Sequence, residues 1–414
     1  MYRWMNRGQE VGDNCWSDKM CRNGLICQDC AGVKTCVRAT ATNAFNIVDN
    51  SLPFNKYAFL TTHNSFSTTE NPRYTLHNQE NLVNDQLLNG VRGLMLDVYD
   101  YQDDIWLCHS FLGTCFEPTA FEPAINTMRV IEAFLVIHPS EIVTLILEDH
   151  VKSHHGLSML FNKTGLMRYW FPVSLMPRNG EDWPRVRDMI KLNHRLLVFT
   201  SNRSKESSEE IAYQWNYMVE NQYGDAGMDS RWCVNRSESP ILSDRTKSLV
   251  LVNYFRTYPD KRSACKEHSR GLMDVLHICY AAAGHRWANF LAVDYYKRSD
   301  GGGVFQATDM LNGMLVCGRD DIHKCPNPSW KESLLGPGIA AARRLKKFLP
   351  LPHDMFFFSE MVVILFYLMY LVDLRAGNEP GFRFKQRHPL NNLCATISEE
   401  ARIWGWPWHE LGVM

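Results

Sequence analysis

Short apolar runs alternate with longer mixed segments along most of this chain. Apolar runs of about four to eight residues between turn-forming residues are typical of strands buried on both faces. Ala124, Met128, Ile131 and Leu135 instead recur at helical spacing, which predicts an amphipathic helix after the third run. The predicted strands are 57–62, 91–98, 105–108, 142–148, 195–200, 248–254 and 289–295, with a poorly defined eighth near 211–218.

Alternation of buried strands with helices predicts a parallel sheet and an α/β fold. About eight such repeats in roughly 280 residues suit a closed (β/α)₈ barrel of the TIM type. Strand alternation in the second run places Met95, Asp97 and Tyr99 on one face, and Leu94 and Leu96 on the other. Active sites of such barrels lie at the carboxyl ends of the strands, where this strand assignment also puts the titratable residues described next.

Two of the apolar runs, 57–62 and 105–108, are each followed directly by a histidine. His63 lies in the segment 61–66, and His109 lies in the segment 106–110. A polar, titratable side chain at the end of a buried strand is costly unless it is hydrogen-bonded, so it serves chemistry or fastens a loop. Two histidines can act as base and acid on one phosphodiester. Taken alone, each is also explained as a hydrogen-bonded core or cap histidine.

Six segments in this order resemble the X domain of phosphatidylinositol-specific phospholipase C. Besides the two histidine segments they are 90–99, 141–150, 195–201 and 290–303. The resemblance extends from about Gly12 to about Cys325 and points to the plant group of X-domain-only proteins, which open with a short cysteine-rich segment. It implies a distorted (β/α)₈ barrel and is specific for the superfamily, but not for a substrate.

The resemblance also implies a mechanism of intramolecular phosphoryl transfer. His63 would take the proton from the inositol 2-hydroxyl, and His109 would protonate the departing diacylglycerol oxygen. Asp294 would orient His63 through a hydrogen bond, although a plain charge at a strand end explains Asp294 as well. The products would be diacylglycerol and a cyclic inositol phosphate.

A metal site follows from the resemblance only in part. The residues that match the ligands of the calcium-dependent members are Asn64, Met95, Asp97 and Glu148. Methionine is no ligand for a hard cation, so one carboxylate is missing, and the other three residues predict a weak Ca²⁺ or Mg²⁺ site. The metal-free members carry an arginine in the second segment, where this chain has Asp97; Arg92 is near but faces the other side.

Thirteen cysteines are too many for an ordinary cytosolic enzyme, and five of them fall within the segment 15–36. This segment has too few apolar residues to build a hydrophobic core of its own, so we expect disulfide bonds to stabilise it. Cys27 and Cys30 could instead begin a zinc site, yet no second pair follows at zinc-finger spacing. Because five is odd, we expect one partner in the main domain; Cys108 and Cys115 could pair with each other.

The expected organisation is a cysteine-rich segment at 1–44, a barrel at 45–325 and a tail at 326–414. The tail contains an apolar stretch, 355–372, whose uninterrupted part is shorter than a bilayer span, so a membrane anchor and a surface-packed helix both stay open. No signal peptide is visible at the start of the chain. The cysteines and the glycosylation sequons at Asn162, Asn202 and Asn235 nevertheless favour a secreted glycoprotein.

Composition limits the partners of this protein. A formal net charge of -1 and the lack of a long basic block argue against nucleic acid. We therefore expect a monomeric, secreted phosphodiesterase that acts on a phosphoinositide or related phosphodiester at a membrane surface. The alternatives are a catalytically weakened barrel that binds lipid head groups or glycans, and a cytosolic protein with a zinc-bound amino terminus.

Overall fold

Eight parallel strands form a curled sheet in the computed structural model, which describes residues 8–48, 50–110 and 113–326. In chain order the strands are β1 Leu25–Cys30, β2 Val33–Arg38, β3 Phe59–Thr62, β4 Gly93–Tyr101, β5 Asp104–Cys108, β6 Ala120–Pro123, β7 Val143–His150, β8 Leu196–Thr200, β9 Ala212–Tyr213, β10 Met218–Glu220, β11 Leu249–Tyr254 and β12 Phe290–Val293. The parallel strands follow the order β10-β11-β12-β3-β4-β7-β8-β9, so β9 and β10 are its two ends. The predicted (β/α)₈ class is confirmed in a distorted form.

Two of the predicted strands differ from the structure. The run 105–108 does not join the parallel barrel: it forms β5, which pairs antiparallel with the end of β4 and with β6. The region near 211–218 contains two short strands, β9 and β10, separated by a 3-10 turn. An apolar run of four residues indicates burial but carries no information on strand direction, so the sequence does not distinguish β5 from the parallel strands.

Nine helices occur in the described residues, mostly in the connections between the strands. They are α1 Ala44–Ile47, α2 Val83–Leu88, α3 Ala124–Ile137, α4 Gly156–Lys163, α5 Val186–Lys191, α6 Ser204–Ser208, α7 Lys261–Glu267, α8 Arg270–Ala282 and α9 Gly303–Cys317. The helix predicted from its spacing is α3, and all four of its periodic residues are buried. None of the described helices is long and apolar enough to cross a bilayer.

The core has two layers that alternate along each strand. Leu94, Leu96 and Val98 belong to the layer between the sheet and the helices, whereas Met95 packs against the interior of the barrel. This is the alternation that the sequence predicts for β4. Burial of each large aliphatic or aromatic side chain stabilises the fold by about 1.5–3 kcal/mol, and the interior is filled largely by aromatic rings such as Phe54, which stacks on Phe59.

Disulfides fasten the cysteine-rich segment, whose β1 and β2 form an antiparallel hairpin. Two disulfides lie within the segment, Cys15–Cys27 and Cys21–Cys36. The fifth cysteine, Cys30, pairs with Cys265 of the barrel, as the odd count predicts. The remaining pairs are Cys108–Cys115, Cys233–Cys279 and Cys317–Cys325. The preference for disulfides over zinc in this segment is therefore confirmed, and such bonding is typical of proteins that mature in an oxidising compartment.

Candidate active site

His63 follows the last residue of β3 and is held by a network at the mouth of the barrel. Its backbone N–H donates to the carbonyl of Val293 on β12, at 3.0 Å. Its ring Nδ1 lies 2.9 Å from Asp294 Oδ1, and its ring stacks on Phe255 with 3.7 Å between centroids. Because Nδ1–H donates a hydrogen bond to this carboxylate, Nε2 is left as the basic nitrogen.

Asp294 is buried, and this burial raises the pKa of its carboxyl group. Besides His63, Asn78 Nδ2 donates to Asp294 Oδ1 at 3.0 Å. Asp294 Oδ2 has no hydrogen-bond partner among the described residues. The structure thus brings Asp294 to His63, as the resemblance implies, and adds Asn78, which the sequence did not single out because it lies in an irregular connection.

His109 reaches the same mouth by a different route. It follows β5, which runs back along the end of β4, and its backbone N–H donates to Thr119 O at 3.0 Å. The Cys108–Cys115 disulfide closes the loop in which it lies. Burial, aided by the nearby charge of His63, lowers the pKa of His109 to about 4. The two imidazoles are therefore close enough for the charge of one to affect the pKa of the other. The sequence predicted that His109 follows a parallel strand, but the strand that it follows, β5, is antiparallel to β4.

Asp97 and Glu148 form an acidic pair beside the histidines. They are opposite each other in the parallel register of β4 and β7. Burial and then the charge of Glu148 raise the pKa of Asp97, which is 7% exposed. His150 lies 2.9 Å from Glu148 and lowers the pKa of that carboxyl group. Two neighbouring carboxyl groups concentrate negative charge at the mouth, and this charge adds to the rise in the pKa of Asp97.

One glycine brings this pair next to the histidine. A Cβ on Gly93, at the start of β4, would lie 2.2 Å from Thr61 Oγ1 on β3, so only glycine permits this close approach. Asn64 has a positive φ of 42°, a conformation that asparagine tolerates better than most residues. Its side-chain amide then lies 3.0 and 3.2 Å from the two oxygens of Asp97.

The orientation of the Asn64 amide is set by Asp97. With its NH₂ group toward Asp97, it donates hydrogen bonds to the carboxylate. The carbonyl oxygen at the other side of the same amide is a ligand type that hard cations accept. Asn64, Asp97 and Glu148 therefore fit a divalent cation by donor chemistry, with Met95 on the same strand face in the place of a further carboxylate.

The cation that lies near the acidic pair is Arg236, a residue that the sequence analysis missed. It belongs to the connection between β10 and β11, and its Nη1 donates to the buried Glu220 at 3.1 Å. Its guanidinium also packs over the rings of Trp215 and Tyr223. The positive charge of Arg236 lowers the pKa of both Asp97 and Glu148. At Asp97 it therefore opposes the increase that burial causes.

Arg92, the cation noted from sequence, is committed elsewhere. It precedes β4, at the amino end of that strand, and its Nε donates to Glu141 at 2.8 Å. Its Nη1 donates to the backbone carbonyls of Leu87 and Val91. The end of the barrel that carries the histidines is therefore not reached by Arg92.

Other clusters of possible metal ligands in the described residues are few. Cys15, Cys21 and Cys36 lie together, but each is in a disulfide. Asp309, Asp321 and His323 form a second group away from the mouth. Neither of these groups includes the acidic pair or Asn64.

This chain belongs to the PI-PLC X domain family, whose model matches residues 51–312. A PI-PLC X domain-containing protein of Arabidopsis thaliana is 53% identical over 330 residues, which cover 77% of each chain. PI-PLC X domain-containing protein 1 of Arthroderma benhamiae is 24% identical over 262 residues, 58% of this chain and 79% of that protein. The family resemblance inferred from six segments is therefore confirmed.

Solved structures of bacterial phospholipases are also similar to this chain. The phosphatidylinositol-specific phospholipase C of Listeria monocytogenes has a TM-score of 0.43 and 15% identity, and the match covers 61% of this chain and 93% of that one. A double mutant of the Staphylococcus aureus enzyme has a TM-score of 0.38 and 12% identity, covering 67% and 93%.

Proposed function

We propose that this protein is a phosphoric diester hydrolase that cleaves a phosphoinositide or a related phosphodiester through a cyclic phosphate. The observation that carries the proposal is the pairing of His63 with Asp294 beside a second histidine, His109. A carboxylate-oriented imidazole is a competent general base, and the second imidazole can protonate the leaving oxygen. The family to which the chain belongs gives independent support.

In the proposed reaction, His63 Nε2 removes the proton from a hydroxyl adjacent to the phosphate. The oxygen attacks phosphorus, and His109 donates a proton to the departing oxygen. His109 is neutral in the free protein because burial lowers its pKa to about 4. A bound phosphodiester carries a negative charge, and this charge raises the pKa of a neighbouring imidazole, so substrate binding would supply the protonated form.

Negative charge on the phosphoryl group must also be stabilised, and this electrostatic term is usually large. If a divalent cation is present, Asn64, Asp97 and Glu148 would hold it, and it would supply charge neutralisation. With one carboxylate fewer than the calcium-dependent members, the binding should be weak. Arg236 is the candidate for positive charge from the protein itself.

Unsatisfied polar atoms at the mouth favour a head group rich in hydroxyls. Asn253 Oδ1, Asn78 Oδ1 and Asp294 Oδ2 are buried and have no hydrogen-bond partner in the described part of the chain. Buried acceptors without a partner cost about 1–3 kcal/mol each, a cost that hydroxyl donors of a ligand would remove. This supports a polyol head group without selecting its phosphorylation state.

An apolar rim supports a membrane-surface substrate. Large aromatic side chains on connections that leave the carboxyl ends of the strands are exposed, among them Tyr74 at 92%, Tyr258 at 69% and Trp232 at 64%. Aromatic residues are favoured at the interface between lipid and water. A lipid whose phosphodiester enters the mouth would place its acyl chains beside this rim.

Secretion, glycosylation and a monomeric state belong to the same proposal. The disulfides support a secretory route. Asn162 is exposed on α4, whereas the Asn235 amide donates to two backbone carbonyls, so Asn162 is the sequon that a glycan would suit better. The stretch 355–372, proposed as a possible anchor, lies outside the described residues.

The decisive experiment incubates purified protein with phosphatidylinositol vesicles and measures cyclic inositol phosphate and diacylglycerol, with and without a chelator. Formation of both products supports the hydrolase. The second candidate, a binding barrel, is favoured by Met95 and by the neutral state of His109. Saturable vesicle binding without either product, at any Ca²⁺ concentration, would establish that alternative.

A further inference from the structure

A group of three possible metal ligands lies where helix α9 meets the turn that follows it. Asp309 comes from α9, and Asp321 and His323 come from the turn, which the Cys317–Cys325 disulfide closes. One ligand atom from each of the three side chains lies within 4.8 Å of the others. The group is therefore compact enough to surround one ion.

The carboxylate of Asp309 has one oxygen engaged and one oxygen free. Asp309 is only 4% exposed. Its Oδ2 accepts from Arg38 Nη1 at 2.5 Å and from Thr42 Oγ1 at 3.0 Å. Its Oδ1 is buried and has no hydrogen-bond partner among the described residues. Leaving a buried acceptor unsatisfied costs about 1–3 kcal/mol, a cost that a bound ion would remove.

The spacing of the donors suits a small divalent ion. His323 Nδ1 lies 2.8 Å from Asp321 Oδ1 and 3.7 Å from Asp309 Oδ2, the oxygen that also accepts from Arg38. Two ligands at about 2.0–2.1 Å in tetrahedral geometry are separated by about 3.3 Å, a value between these two distances. Small side-chain rotations would therefore complete three corners of a tetrahedron and leave the fourth to water.

Charge and ligand type narrow the choice of ion. Two carboxylates and a neutral imidazole, offset by the single charge of Arg38, leave a net negative site. An imidazole combined with carboxylates suits zinc and other first-row divalent ions better than Ca²⁺ or Mg²⁺, which prefer all-oxygen sites. Binding would displace the Nδ1 proton of His323, which otherwise bonds to Asp321.

We propose that Asp309, Asp321 and His323 bind one first-row divalent ion, with Zn²⁺ as the preferred probe, in a structural site distinct from the active site. Asn312, one turn beyond Asp309, hydrogen-bonds to Ala58 just before β3, whereas His63 follows the other end of that strand. Through Arg38, the ion would also join α9 and the turn to the cysteine-rich segment.

The test titrates Zn²⁺ into full-length, chelator-treated protein by calorimetry and follows thermal unfolding in parallel. We expect one equivalent to bind and to raise the unfolding temperature. His323→Gln, at a half-exposed position, and Asp309→Asn should each weaken binding by about tenfold or more. Asp320→Asn is the matched control, because Asp320 is an exposed neighbour that pairs with Lys324 instead.

Three outcomes would overturn the proposal. The first is no saturable Zn²⁺ binding to the wild-type protein. The second is unchanged affinity in His323→Gln, which would place the ion elsewhere and does not depend on the folding of Asp309→Asn. The third is tighter binding of Ca²⁺ than of Zn²⁺, which would contradict the assigned class of ion.

Discussion

The two ends of the barrel each contain a half-buried arginine paired with a buried glutamate, and the two pairs differ in what surrounds them. At the amino end, Arg92 binds Glu141 and backbone carbonyls and packs over the ring of Phe134. At the carboxyl end, Arg236 binds Glu220, and Glu220 also accepts a hydrogen bond from Asn253, whose own oxygen has no partner.

This difference separates residues that hold the fold from residues that are available to a ligand. A cluster in which the polar groups are satisfied by backbone carbonyls stabilises the native chain and offers little to a substrate. A cluster that contains acceptors without a partner can still accept hydrogen bonds from a ligand. Residue type alone does not distinguish the two, since both are arginine–glutamate pairs inside one barrel.

The largest expected effect falls on the histidines at the carboxyl end. His63→Ala and His109→Ala should each lower turnover by on the order of 10²–10⁴, because each removes one proton transfer. Initial rates on phosphatidylinositol vesicles and thermal unfolding should be measured together, with the exposed His154→Ala as control. Folded variants with near-normal rates would contradict the mechanism. Loss of folding in both variants would indicate that His63 and His109 serve the hydrophobic core and not catalysis.

Exchanging the two arginines for methionine tests the comparison directly. Arg236→Met should lower the turnover per folded molecule by on the order of 10²-fold, because it removes charge near the phosphoryl group, and it should also destabilise the fold, because Glu220 is buried. Arg92→Met should instead destabilise the fold by about 3 kcal/mol, since it leaves Glu141 buried with its arginine partner gone. Denaturant unfolding and the rate per folded molecule separate these effects. If the effects were exchanged, the assignment of the two ends would be wrong.

Met95→Glu sharpens the role of the acidic pair. The added carboxylate should tighten Ca²⁺ binding by about tenfold and raise activity at low Ca²⁺, because hard cations favour additional charged oxygen ligands. Met95→Gln has a similar size without the charge and should leave the Ca²⁺ dependence nearly unchanged. The measurement is the Ca²⁺ concentration that gives half-maximal activity. Equal values in the three proteins would show that no cation binds there.

The smallest effect concerns the protonation of His109. Its imidazole should titrate at a pH of about 4 in the free protein, and saturating inorganic phosphate should raise this pKa by about one unit or more. The sign follows because an anion stabilises the imidazolium. Nuclear magnetic resonance of the histidine ring protons reports this value, with exposed His277 as the reference. A pKa that does not change with phosphate would argue against His109 as the acid.

Much of the fold was predictable because burial leaves a strong signal. Strands such as β4 and β7 are apolar runs of distinct length, and the pattern on β4 assigned Met95 and Leu94 to the correct faces. The contact of His63 with Asp294 followed from the family resemblance. These features depend on short-range patterns and on the order of segments, both of which a single sequence contains.

The missed features depend on tertiary contacts. Arg236 lies in a long irregular connection between β10 and β11, where no periodicity indicates which side chains turn inward. The antiparallel direction of β5 is set by its pairing with the end of β4, a contact between segments that apolar content does not report. His109 lies at the mouth of the barrel because it follows β5, and it is this pairing that places β5 there.

The bond between Cys30 and Cys265 makes most of the barrel part of one covalent ring. Every strand from β3 to β11 lies between these two residues, and β12 lies outside them. During synthesis, Cys30 emerges long before its partner and must stay unpaired, or pair temporarily with another thiol, until residue 265 appears. A protease cut at any peptide bond between the two cysteines would therefore yield fragments that separate only after reduction.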